Sequence, residues 1–224
     1  MATSSAQDVP VFREAQVLQE PWELAYKRAL DLLLVISAHL VLLPLFLLFW
    51  IAIPVAIWLD DRGPVLHKRR GIGKGGKPFT MLKFRTMVVD AEQWLARDPR
   101  LRERFFEAYK LRDDPRVTRV GRWLRKWSLD ELPQLLNVLK GEMSLVGPRP
   151  TAEDEHSKFG PRGPRLLSVK PGLTGLWQVL RHDDLDYTRR ISLDMYYIEH
   201  RSLRLDLAIL LRTLPSVLAR RGAY

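Results

Sequence analysis

Between Asp31 and Asp60 the chain runs for 28 residues, LLLVISAHLVLLPLFLLFWIAIPVAIWL, without an Asp, Glu, Lys or Arg. Such a run reads as a membrane segment. A straight helix over it would be about 42 Å long at about 1.5 Å per residue, against a hydrocarbon core of about 30 Å, too long for an upright span. A cleaved signal peptide fits poorly, because a mostly polar leader with several acids precedes the run and the run exceeds an h-region. Pro44, near the middle, removes an intrahelical hydrogen bond and bends the helix. Lys27 and Arg28 flank one side, and Arg62, Lys68, Arg69 and Arg70 the other. The positive-inside rule then places both ends in the cytoplasm. A re-entrant helix satisfies these features, with a single tilted transmembrane helix as the alternative.

The 224 residues suffice for one domain with a core, or for a smaller domain and an accessory segment, and not for two full enzyme domains. With 36 Lys+Arg against 26 Asp+Glu the formal charge is +10, which points to an anionic partner: a nucleic acid, an anionic membrane face or a phosphorylated substrate. Cysteine is absent, which excludes disulfide scaffolds, thiolate zinc sites, iron–sulfur clusters and cysteine nucleophiles. His39, His67, His156, His182 and His200 show no ligand spacing, and Ser/His/Asp catalysis has no support. Eight Lys/Arg and no acid lie between Arg62 and Arg85, a stretch suited to anionic headgroups.

Residues 1–20 read as a polar leader. Val65 and Leu66, then Phe79, Met81 and Phe84, read as two short strands of a hairpin around Gly71-Ile72-Gly73-Lys74-Gly75-Gly76-Lys77. That turn matches G-x-G-x-x-G and nearly matches a phosphate loop, but Pro78 takes the Ser/Thr position and the following residues are strand-like. It is therefore read as a plain turn. Helices are predicted within 88–112 and over 133–140, 186–200 and 203–218, with a basic amphipathic turn at Gly121–Lys126. In the last helix Leu207, Leu210, Leu211, Leu214 and Leu218 share a face, as in an interfacial helix or a core-facing one.

The densest cluster of chemistry is Arg125-Lys126-Trp127-Ser128-Leu129-Asp130-Glu131-Leu132-Pro133-Gln134. Ser128 and Glu131 have capping-box spacing, but Pro133 would then fall in the fifth helical position. A later start, with Glu131 or Leu132 at the cap, is easier. Either way Asp130 and Glu131 sit at a helix N-terminus, whose dipole favours ionised carboxylates. Such a pair is either structural or, beside Arg122, Arg125 and Lys126, a site for a diphosphate and Mg²⁺. In Gly147-Pro148-Arg149-Pro150 two prolines stiffen the backbone around one arginine, which suits a phosphate grip or an exposed loop. Lys170-Pro171-Gly172-Leu173-Thr174-Gly175-Leu176-Trp177-Gln178 combines turn glycines with a tryptophan that stacks on a base, lines a lipid groove or belongs to the core.

From about residue 24 to 224 the chain resembles the bacterial sugar transferase family, the monotopic polyprenyl-phosphate phosphoglycosyl transferases, in its small form. The resemblance rests on KRALD (27–31), KFRTM (83–87), DDPRVTRVGRWLRKWSLDELPQLLNVLKGEMSLVGPRP (113–150), KPGLTGLWQV (170–179), LDMYYIEHRSLRLDLAILLRT (193–213) and RGAY (221–224). It implies transfer of a sugar 1-phosphate from a UDP-sugar to polyprenyl phosphate, with release of UMP. It casts Asp130 as nucleophile and Mg²⁺ contact, Glu131 as its partner, and Arg125, Arg149 and Arg85 as phosphate- or substrate-binding groups. Pro44 matches the proline that breaks the re-entrant helix, although Leu43 stands where a serine often precedes it. RGAY and GLWQV resemble members that handle UDP-galactose or UDP-glucose.

The fold that follows is α+β. A leader (1–23) precedes a re-entrant membrane helix (24–60) and a helix-rich cytoplasmic domain (61–224) with a small β-hairpin or sheet and interfacial amphipathic helices. The protein would lie on the cytoplasmic membrane of a bacterium, in contact with its lipids. UDP-sugar and polyprenyl phosphate are the expected partners and nucleic acid is not; a homodimer is left open. A membrane-tethered basic binding module or a scaffold without catalysis is the competing reading.

Overall fold

A computed structural model describes residues 21–108, 111, 114–152, 156–180 and 187–219. Residues 1–20, RGAY and Arg220 lie outside the described residues, while 21–23 of the expected leader open the first helix. The apolar run folds as two helices, α1 (Pro21–Val41) and α2 (Leu43–Asp60). The break falls at Leu42, so Pro44 sits in the first turn of α2, where its missing N–H leaves no bond unmade. The His39 and Phe46 rings stack across the break with centroids 4.0 Å apart. A second proline, Pro54, lies inside α2.

The first turns of α1 are bound into the rest of the protein. Lys27 Nζ donates to Asp206 at 2.7 Å and to the Tyr197 hydroxyl at 2.9 Å. The Arg28 guanidinium donates to the carbonyls of Val138 and Leu139, and Asp31 accepts from the Ser144 hydroxyl and the Leu145 N–H. Farther along, Leu33, Ile36, Leu40 and Val41 are exposed. In α2 only Ile53 and Ile57 are buried, against Phe84 and Leu124. Leu43, Leu45, Leu47, Leu48, Ile51 and Val55 remain exposed, and α2 is long and apolar enough to cross a membrane.

Strands β1 (Leu66–Ile72) and β2 (Pro78–Phe84) form the antiparallel hairpin, and the glycine-rich segment is a turn that no helix follows. The helical region 88–112 divides into α3 (Ala91–Arg97) and α4 (Pro99–Ala108), because Pro99 starts a new helix and the Asp98 carboxylate accepts from the N–H groups of Arg100 and Leu101. Then come α5 (Arg119–Lys126), α6 (Gln134–Lys140), β3 (Ser144–Val146), β4 (Thr151–Ala152), α7 (Gly163–Leu166), β5 (Gly172–Thr174), α8 (Leu176–Leu180), α9 (Tyr187–His200) and α10 (Leu203–Leu218). One sheet has the order β2-β1-β4; in the other, β3 pairs in parallel with β5. The fold is thus α+β, helix-rich with two small sheets.

Val146, Leu176, Met195, Tyr197 and Ile209 belong to one core between the β3–β5 sheet and the last helices, while Val35, Phe79, Met81, Val138 and Met143 join α1, β2 and α6. Trp177 is buried, which makes it a core residue. In α10, Asp206 and Ile209 face inward while Leu203, Leu207, Leu211, Leu214 and Leu218 are exposed. The leucine row found by periodicity is therefore an outward face, apart from Leu210, which packs on the core.

Candidate active site

The acidic pair lies on a single tight turn between α5 and α6. Thr118 caps α5 by accepting from the Gly121 N–H. Gly121 lets the helix rest on the backbone of Thr86, since a Cβ there would fall 2.0 Å from the Thr86 carbonyl oxygen. Arg125, one turn on, donates from Nε to the Thr86 hydroxyl at 2.9 Å. The chain then reverses at Ser128, whose left-handed backbone (φ 55°, ψ 20°) costs about 1 kcal/mol for a residue with a side chain. Leu129–Glu131 form one 3₁₀ turn, and α6 begins at Gln134 with Pro133 in the cap position.

Neither expected start of this helix holds. A left-handed Ser128 cannot present the extended backbone of an N-cap, and its side chain caps nothing, whereas the fixed φ of Pro133 suits a helix entrance. The dipole expectation is also corrected. Burial, and next the neighbouring Glu131 charge, hold the Asp130 carboxyl above the usual carboxylate range, against the opposing pull of Lys83, Arg125 and Arg149.

Lys83, which sequence reasoning did not single out, completes the site. It follows Phe79 and Met81 at the strand's period of two, and those residues face α6. The side chain of Asn137 in α6 clamps this strand by donating to the Thr80 carbonyl and accepting from the Leu82 N–H. Lys83 then reaches the entrance of α6 and donates to Glu131 Oε1 at 2.8 Å. Its signal was its place in an alternating strand.

Arg149 Nη2 lies 3.7 Å from the same Glu131 oxygen. Its loop joins β3 to β4 and so is tied to both sheets. Gly147 makes this possible, since a Cβ there would come within 2.6 Å of the Lys170 carbonyl oxygen. Behind the loop, buried Asp194 accepts the Arg149 backbone N–H. Arg149 also borders a shallow cavity shared with Gly73, Thr151, Leu167 and Pro171.

The structure thus gathers Asp130, Glu131, Arg125 and Arg149, with Lys83 added. Arg85 is engaged elsewhere: its buried guanidinium donates to the Asp61 carboxylate at 2.8 Å and to the Asp61 carbonyl, which ties it to the end of α2. Arg122 and Lys126 are exposed on α5.

Among the described residues no three His, Asp or Glu side chains converge. The turn therefore offers a cation one or two carboxylates and no closed cage. That donor set fits Mg²⁺, which keeps several waters and shares a substrate's phosphates, better than it fits a structural metal.

Residues 22–220 match the family model described as bacterial sugar transferase. The chain belongs to that family. The match takes in every residue of the site, and membership sets aside the scaffold without catalysis: this protein is a transferase.

The chain is 44% identical over 202 residues to the exopolysaccharide production protein ExoY of Sinorhizobium fredii, covering 88% of each. It is 43% identical over 202 residues to the undecaprenyl-phosphate galactose phosphotransferase of Salmonella typhimurium, covering 88% of this chain but 41% of that protein. It is also 43% identical over 206 residues to the UDP-glucose:undecaprenyl-phosphate glucose-1-phosphate transferase of Caulobacter vibrioides, covering 88% and 72%.

Proposed function

We propose that this enzyme transfers a hexose 1-phosphate, galactose or glucose phosphate, from its UDP-sugar to undecaprenyl phosphate, as the first membrane step of an exopolysaccharide or related glycan. The reading is supported by the names of its relatives, which include galactose and glucose phosphotransferases acting on undecaprenyl phosphate. The observation that carries it is the Asp130–Glu131 turn, half-buried and faced by Lys83, Arg125 and Arg149.

In this reading an Asp130 carboxylate oxygen attacks the phosphorus that bears the sugar. The bond from that phosphorus to the bridging oxygen breaks, UMP leaves with the electron pair, and a phosphosugar–aspartate remains. An oxygen of undecaprenyl phosphate attacks the same phosphorus, freeing Asp130 and giving the lipid diphosphate sugar. Two displacements at one carboxylate imply ping-pong kinetics. Arg125 and Arg149 orient the diphosphate and offset its repulsion of the carboxylate. Glu131, held by Lys83, keeps its charge off the incoming phosphate. Mg²⁺, bound by Asp130 and the substrate phosphates, would supply further charge neutralisation.

The membrane reading belongs to the same proposal. The α1–α2 pair enters and leaves the cytoplasmic leaflet as a re-entrant unit, and the exposed leucines of α10 lie in the interface. Residues 61–224 then form a catalytic domain on the cytoplasmic face, with the acidic turn at headgroup level. The test is UMP release by the purified full chain with Mg²⁺, undecaprenyl phosphate and a panel of UDP-sugars. Turnover that requires the lipid phosphate and prefers UDP-galactose or UDP-glucose supports the reading. Turnover with no UDP-sugar, while another nucleotide sugar is accepted, would overturn the donor assignment.

A further inference from the structure

The C-terminal end of α6 carries a second concentration of charge, apart from the acidic turn at its entrance. A Cβ on Gly141, the residue that ends the helix, would lie 3.4 Å from Lys170 Nζ and 3.6 Å from Arg28 Cζ, so both cations press on one point. The hairpin turn brings a third. It is pinned by the Gly75 N–H donating to the Leu167 carbonyl at 2.8 Å, and Gly73 packs toward the Glu142 carbonyl, 3.9 Å from its Cβ position. Lys74 therefore stands within electrostatic reach of Lys170 and of Arg201, at the α9–α10 junction.

Arg28 is engaged with the last carbonyls of α6 and Arg201 with the Ile198 carbonyl. Lys74 and Lys170 have no hydrogen-bond or ion-pair partner among the described residues. The carboxylate that acts on Lys170 is buried Asp31, already accepting from Ser144 and Leu145, and none acts on Lys74. Burial first, and then repulsion from Lys170 and Arg201 on Lys74 and from Arg28 on Lys170, hold both amines below the usual lysine range.

A half-buried pair of lysines with so little counter-charge is costly when empty and relaxed by an anion. It also lies at the start of α1, whose Leu33 and Ile36 are exposed on the side away from buried Val35. Helix capping accounts for Arg28 but not for Lys74, which is delivered from another element.

We propose that Lys74 and Lys170, flanked by Arg28 and Arg201, form a second anion site that takes a phosphate group at the C-terminal end of α6. Its occupant is a lipid phosphodiester or a soluble phosphate. The site binds and does no chemistry, and it stands whether or not the transfer reaction runs as described above.

The test is site-resolved acylation of lysines on the full chain in neutral detergent, read by peptide mass spectrometry. The probes are inorganic phosphate, phosphatidylcholine vesicles, and the same vesicles containing phosphatidylglycerol. An anion that raises an amine's pKa by about one unit slows its acylation about tenfold near neutral pH. Lys74 and Lys170 should be protected to that extent relative to exposed Lys77 and Lys140. Protection by phosphatidylglycerol alone assigns a lipid; protection by inorganic phosphate as well assigns a soluble anion. Lys170→Gln should abolish protection at Lys74. Protection by no probe, equal protection of all four lysines, or full protection of Lys74 in Lys170→Gln overturns the proposal.

Discussion

The two ends of α6 are built from the same residue types in different proportions. At the entrance, Asp130 and Glu131 are enclosed by Lys83, Arg125 and Arg149, and the charges nearly offset. At the exit stand Arg28, Lys74, Lys170 and Arg201, and the buried carboxylate of Asp31 acts on Lys170 but not on Lys74. A helix of 7 residues spans about 10 Å, so the two electrostatic settings lie close together on one rigid element. The comparison teaches what each end can do. Cations alone hold an anion, whereas a carboxylate among cations can approach one and react with it.

The sharpest way to break this contrast is to remove the carboxylate. Asp130→Asn should lower sugar-phosphate transfer by about 10³-fold or more, as loss of a nucleophile does, with the circular dichroism spectrum and vesicle binding unchanged. A variant that retained a tenth of the activity would reduce Asp130 to a structural residue.

The exit depends on α1, which Asp206 holds through Lys27, Tyr26 and the Tyr197 hydroxyl while itself fully buried. Asp206→Ala leaves the Lys27 ammonium without its partner and should destabilise the protein by about 3–5 kcal/mol in chemical denaturation. A loss below about 1 kcal/mol would mean that the network contributes no more than a surface ion pair does. Arg149→Lys keeps the charge and removes the fork, and should cost about 1.5–3 kcal/mol, or roughly 10–150-fold in kcat/KM, with stability unchanged. Equal activity would place Arg149 outside the substrate's reach.

The smallest effect concerns the support of that arginine. Burial raises Asp194 from 3.8 to about 7. Between about pH 4 and 7 the folded protein therefore keeps a proton that the unfolded chain has released, so this group makes stability fall as pH rises through that window. Asp194→Asn should remove that slope from denaturation midpoints measured at pH 5 and pH 8. An unchanged slope would assign the pH dependence to another group.

Much of the fold was legible because its signals are local and periodic. The hairpin, the helices near 133–140, 186–200 and 203–218, and a break beside Pro44 all follow from spacing and breakers. The break at Asp98–Pro99 was equally local and was missed because composition was averaged across it. For the site, the motifs named Asp130, Glu131, Arg125 and Arg149, but pairing partners come from distant segments. Arg85 belongs to Asp61 and Lys83 to Glu131 through contacts 24 and 48 residues apart, which no window of sequence displays. The direction of the Asp130 shift was likewise hidden, because burial and the Glu131 charge outweigh a dipole that starts only after Pro133.

The decisive measurement is a single-turnover experiment without acceptor. The full chain is mixed with Mg²⁺ and radiolabelled UDP-galactose or UDP-glucose, quenched in acid and digested. Near-stoichiometric UMP should appear in a burst, with the sugar phosphate on the peptide bearing Asp130, and undecaprenyl phosphate should then discharge the label to lipid. UMP formed only once undecaprenyl phosphate is added, with no label on protein, would mean direct transfer between substrates and would contradict the role given to Asp130.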